Sequence, residues 1–189
     1  MMTALTQSFY TPEQYLDLER QASYKSEYVN GCIFSMAGAS REHNQIAFNI
    51  AGELHDQLKS RPCLAYVNDL RVKVSATGLY AYPDVAALCD EPHFEDKRMD
   101  TLLNPSVLME ILSPSTEAYD RGDKFAHYRR LPSLMEYVLI AQDKVRVEHY
   151  IRQDSKWVLT EIDSLGETLY LASIQCKIPL REIYAKVGL

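Results

Sequence analysis

The sequence predicts an α/β (α+β) fold, a single domain with one mixed β-sheet flanked by helices. Three observations predict the class. Ile46, Ile50, Leu54 and Leu58 recur every fourth residue, which is the apolar stripe of a helix that buries one face. Val107–Leu112 (VLMEIL) is a short apolar run of the kind a sheet covers on both sides. Helical and strand-like segments alternate along 189 residues, a length suited to one domain spanning the whole chain.

The elements follow in order. Residues 1–10 read as a loosely ordered tail. Thr11 can cap a helix, Pro12 suits its first position and Gln14 completes a capping box. Residues 25–36 alternate around Asn30-Gly31, a strong hairpin signal. Ser40 caps the long helix, and Arg61-Pro62 ends it. Segments 64–67 and 70–74 read as a strand pair, 84–89 as a third strand and 91–100 as a polar surface loop. After the central run, Ser113-Pro114-Ser115-Thr116 starts a helix over 117–131. Segment 134–140 is another buried strand. Residues 145–150 and 157–162 alternate like a hairpin with one exposed face, and the tail holds a strand or two and a short final turn.

Composition narrows the function. Acidic residues outnumber basic ones by 26 to 20, for a net charge of −6, so a surface that grips nucleic acid everywhere is not expected. Cys32, Cys63, Cys89 and Cys176 contain no C-x-x-C pair. Cys32 and Cys89 read as small buried hydrophobes, and the expectation is a reduced, cytoplasmic protein. The first residues lack the basic start and apolar core of a signal peptide, and no run approaches the ~20 apolar residues of a membrane span. Phosphate-loop, dinucleotide, zincin and nucleophile-elbow motifs are absent.

What remains is acid in apolar surroundings. Glu110 lies inside VLMEIL, where a carboxylate is costly unless paired, hydrogen-bonded or bound to a cation. Asp84 opens a second apolar run after Pro83. Each alone can be read blandly, Glu110 as a salt-bridged strand residue and Asp84 as a turn residue. Together, on adjacent strands, they would make an oxygen-rich pocket that holds a divalent cation or shares a proton. Lys124 follows 14 residues after Glu110 and either reaches that pocket or is solvated. Arg121, Lys124, Arg129 and Arg130 could form a basic edge for a phosphate backbone, or an ordinary exposed helix face. Phe125 and Tyr128 fit packing positions.

The segments SEYVNGCIFSMAGASREH (26–43), YPDV (82–85), MEILSPST (109–116) and DRGDKFAHYRRLPSLMEYVLI (120–140) resemble the Uma-type restriction endonuclease family of the PD-(D/E)XK nuclease superfamily. The resemblance runs from about residue 10 to the C-terminus. It implies a restriction-endonuclease-like fold with Asp84 and Glu110 as Mg²⁺ ligands, Mn²⁺ as a substitute, and Lys124 as the catalytic lysine. It adds Glu27 as an acid facing the same site and His43 as a histidine at the start of the second helix, a candidate substrate contact with Arg121, Arg129 and Arg130. The superfamily's lysine usually stands two residues after the second acid. Leu112 occupies that position here, and the lysine moves to the following helix. Asp120 matches a helix-start acid, read as a structural partner for an arginine or for backbone. Where the family often has Trp and then Asp after Glu-Tyr, this chain has Val138-Leu139-Ile140-Ala141, positions expected to lie off the metal constellation.

The activity so implied is metal-dependent DNA endonuclease chemistry, in which Mg²⁺ polarises the scissile phosphate and Lys124 orients the attacking water. Two alternatives are a catalytically silent binding module and a small-phosphoester hydrolase. Cutting both strands is simplest with two sites, so a homodimer is expected, through Val145, Val147, Tyr150, Trp157, Val158 and Leu159.

Overall fold

The computed structural model describes residues 9–36 and 38–189. The expected tail lies outside these residues up to position 8, but Phe9 and Tyr10 are not loose. Tyr10 donates its N–H to Gly31 O at 3.0 Å and accepts the Tyr28 hydroxyl on its carbonyl at 2.8 Å. Gly31, at φ +85°, admits this because a Cβ there would stand 2.6 Å from Phe9 Cδ1.

Helix α1 (Pro12–Glu19) starts with the reciprocal Thr11–Gln14 capping box. Strands β1 (Ser26–Val29) and β2 (Cys32–Ser35) form the hairpin around Asn30-Gly31. Ser40 caps α2 (Arg41–Leu58) through the His43 N–H, and all four stripe residues are buried. The strands β3 (Leu64–Val67), β4 (Arg71–Val74), β5 (Leu79–Ala81), β6 (Val85–Leu88), β7 (Thr101–Leu102) and β8 (Val107–Leu112) follow. A helical crossover of α3 (Glu117–Tyr119), a π-turn (Asp120–Lys124) and α4 (Phe125–Tyr128) leads to β9 (Glu136–Ala141). The chain closes with β10 (Val147–Gln153), β11 (Lys156–Ile162), β12 (Thr168–Leu171), β13 (Cys176–Pro179) and α5 (Leu180–Ile183).

The strands divide into a five-stranded sheet, β2-β1-β5-β4-β7, a six-stranded mixed sheet, β11-β10-β9-β8-β6-β3, and the β12-β13 hairpin. The expected pairing of 64–67 with 70–74 does not occur. β3 pairs with β6 while β4 pairs with β5 and β7, because the chain turns at Asn68 (φ +66°) and leaves for the other sheet. The expected uniform helix over 117–131 is likewise interrupted by the π-turn.

The central strand β8 runs parallel to β9 and antiparallel to β6. Its side chains alternate between two cores. Val107, Met109 and Ile111 face α2, whereas Leu108 and Leu112 face the crossover with Phe125 and Tyr128. Glu110 therefore points at the crossover helix. β8 and β9 are parallel, so their link must cross the sheet, and this carries Lys124 over β8.

Two further expectations are corrected. Cys63 and Cys89 form a disulfide across the β3–β6 edge, so these two cysteines are not reduced, and neither Cys32 nor Cys89 is fully buried. Of the expected dimer face, Val147 lies in the core, and Tyr150 and Trp157 pack on Phe125 with ring centroids 4.6 and 5.3 Å away. Only Val158 and Leu159 are well exposed.

A buried polar network ties the far end of the sheet. Glu136 Oε2 meets His149 Nε2 at 2.6 Å, and Glu136 Oε1 accepts the Ser173 N–H at 2.7 Å and its hydroxyl at 2.5 Å. Burial pushes the Glu136 carboxyl up, but the His149 and Ser173 bonds outweigh it and hold it below the ordinary value. A depressed folded-state pKa gives stability that is present above the unfolded value, about 4.3, and lost as pH falls through the folded one. Glu136→Gln is therefore expected to melt well below wild type at pH 7, with the gap closing below about pH 4. Thermal melts across that range check it, and a gap independent of pH would contradict it.

Candidate active site

Asp84 ends the Pro83 turn just before β6, and its carbonyl accepts the Asn68 N–H at 2.9 Å. Val85 faces Met109 across β6 and β8, so the next rung sets Asp84 beside Glu110. Asp84 Oδ2 accepts the Ile111 N–H at 2.7 Å, and Oδ1 stands 3.2 Å from His43 Nε2. His43 arrives there because the Ser40 cap starts α2 three residues earlier.

Lys124 is buried, and its Nζ lies 2.9 Å from Glu27 Oε1, 3.0 Å from Glu110 Oε1 and 3.6 Å from Asp120 Oδ1. Glu27 comes from β1, where its Oε1 also accepts the Tyr82 N–H at 3.4 Å. The side chain of Asp120 thus partners a lysine, where an arginine or backbone was expected. The structure gathers Glu27, Asp84, Glu110, Asp120, Lys124 and His43 into one place.

One ammonium cannot neutralise this many carboxylates. Burial pushes Glu110 well above the carboxylate range; Lys124 opposes the rise, and Asp120, Asp84 and Glu27 add to it. Burial likewise pushes Asp120 up. On Lys124, burial acts against the charge but is outweighed by Glu110, Glu27 and Asp120, which hold the ammonium protonated well above its usual range.

The remaining candidates are placed elsewhere. Arg121 is held by Glu117, at 2.8 Å, and by Glu148 on β10. Arg129 lies 5.0 Å over the Phe125 ring, and Arg130 lines a cavity with Thr77, Asp123 and His127. None of the three contacts the acidic group. Leu139, expected to be remote, is the register neighbour of Glu110 on β9 and adds to its burial.

Sequence reasoning missed two tyrosines. The Tyr128 hydroxyl donates to Glu110 Oε1 at 3.1 Å, and Tyr137 donates to the Asp120 carbonyl inside the π-turn at 3.0 Å. Tyr128 stands four residues after Lys124, the spacing that shares a helix face, and that was the available signal.

Among the described residues no three His, Cys, Asp or Glu side chains form a ready cage for a metal ion. The donors present are the hard carboxylate oxygens of Asp84 and Glu110. That set suits Mg²⁺, which keeps several waters and takes one or two carboxylates, and Mn²⁺ shares the oxygen preference. No helix of the described residues is long and apolar enough to cross a membrane.

The fold is a mixed α/β domain with two acids side by side on its central sheet and a buried lysine on the crossover. The chain belongs to the Uma2 family, described as "Putative restriction endonuclease", whose profile matches residues 12–180. Two uncharacterized Synechocystis sp. proteins are similar. One, sll1609, is 40% identical over 88% of this chain and 94% of its own length. The other, slr1290, is 33% identical over 92% and 90%. The fold is similar to that of a crystal structure from Anabaena variabilis described as a putative nuclease belonging to DUF820. Its TM-score is 0.78 at 18% identity, covering 94% of this chain and 99% of that one.

Proposed function

We propose that this chain is a metal-dependent DNA endonuclease, one nuclease unit along its whole length. The observation that carries the reading is Asp84 and Glu110 on adjacent strands with Lys124 Nζ 3.0 Å from the second acid. The family description and the nuclease description of the Anabaena protein support it.

Asp84 and Glu110 would hold Mg²⁺ or Mn²⁺. When bound, the cation supplies Lewis-acid polarisation of a phosphate oxygen and a more acidic water. The chain's own residues supply the rest. Glu27 and Asp120 fix the Lys124 ammonium, which orients the water and offsets charge that develops on the phosphate. His43 holds Asp84 Oδ1 from the α2 side. Arg129 and Arg130, exposed at the end of α4, would meet a phosphate backbone outside the site.

A homodimer fits the need to cut two strands. β11 is an open edge of the six-stranded sheet and exposes Val158 and Leu159. Light scattering should return about twice the chain mass.

The test is cleavage of supercoiled, linear and single-stranded DNA with Mg²⁺, with Mn²⁺ and with EDTA. Nicking or linearisation that needs the cation is expected. Activity on a small phosphate ester alone would move the reading to a phosphoester hydrolase, and DNA binding without cutting in any arm would move it to a silent module.

A further inference from the structure

Two donors converge on one oxygen of Glu110. Lys124 Nζ reaches Oε1 at 3.0 Å, and the Tyr128 hydroxyl donates to the same Oε1 at 3.1 Å. Tyr128 is completely buried, and its ring packs edge-on against Tyr137 at 5.6 Å. The hydroxyl is thus aimed from inside the crossover core at a carboxylate on the central strand. A buried phenol could have been Phe for packing alone, because the ring already fills the space between α4 and β9.

We propose that Tyr128 is a positioning residue for the cation site. By anchoring Oε1 with Lys124, it fixes the Glu110 carboxylate plane so that the other oxygen is presented beside Asp84. Asp84 is oriented more fully, with Oδ2 pinned by the Ile111 N–H and Oδ1 3.2 Å from His43 Nε2, so both acids are held in place by groups of the chain. Partners that orient a metal ligand affect metal affinity or activity by about 10–100-fold when removed. The inference rests on the cation reading given above.

The experiment is calorimetric titration with Mg²⁺ of wild type, Tyr128→Phe, Glu110→Gln and Tyr184→Phe. Tyr184 is the control, a largely buried tyrosine whose hydroxyl bonds to the Arg146 backbone away from the site. Tyr128→Phe should weaken Mg²⁺ binding about tenfold with an unchanged far-ultraviolet spectrum. Its DNA cleavage should recover towards wild type at saturating Mg²⁺. Tyr184→Phe should bind Mg²⁺ as wild type does. If wild type and Glu110→Gln bind Mg²⁺ equally, or wild type not at all, the cation reading falls and the inference with it. If Glu110→Gln loses Mg²⁺ while Tyr128→Phe matches wild type, the role of Tyr128 alone is overturned.

Discussion

Asp84→Asn and Glu110→Gln are each expected to reduce Mg²⁺-dependent DNA cleavage by about 10³-fold or more. Metal-held stabilisation of transition-state charge is worth several kcal/mol, and each ~1.4 kcal/mol is a decade in rate. Their stability should not fall in parallel. Asparagine keeps an acceptor for the Ile111 N–H, and glutamine keeps one for the donors that meet at Glu110 Oε1. Each change also removes a negative charge from a group in which Asp84, Asp120 and Glu27 all act against ionised Glu110. Melting temperatures without metal should therefore match or exceed wild type. Paired melts and cleavage assays decide it. Variants that melt far below wild type yet cut at the wild-type rate per folded molecule would make these carboxylates structural.

The local signals in the chain carried much of this. Caps at Thr11 and Ser40 and the Asn30-Gly31 turn depend on contacts a few residues apart, so they are readable in sequence and appear as expected. The Glu110 position was legible for a related reason. A period of two along VLMEIL puts it on the face of Leu108 and Leu112, and an acid there must find a cation. Register between distant segments has no such local mark. Nothing near residue 67 says that the next strand joins another sheet, so the β3–β6 pairing was missed, and with it the Cys63–Cys89 bond that the pairing brings together. The π-turn is also unmarked, since Asp120–Lys124 carries ordinary helix residues. Tyr128 was read as packing because an aromatic at that spacing satisfies the core whether or not its hydroxyl has a partner.

Lys124→Met should show the opposite pattern to the carboxylate variants. Methionine fills much of the same volume but leaves Glu27, Glu110 and Asp120 without their shared cation in a buried site. Removing one partner of a buried ion pair costs about 3–5 kcal/mol, because the remaining charge stays desolvated. The loss should thus exceed that of any exposed pair, such as Lys59 with Asp56, whose attraction water screens. A second change separates charge from packing. Combining Lys124→Met with Glu110→Gln removes one of the stranded carboxylates, so the double variant should be more stable than Lys124→Met alone, although each mutation alters the same contact. Denaturant midpoints of the two single variants and the double variant measure this. Cleavage should be lost in all three, because the proposed mechanism needs both the Lys124 ammonium and the Glu110 carboxylate. If Lys124→Met melted at the wild-type temperature, the ammonium would not be the counter-charge of this site, and its contacts with Glu27 and Glu110 would contribute nothing to holding the crossover on the sheet.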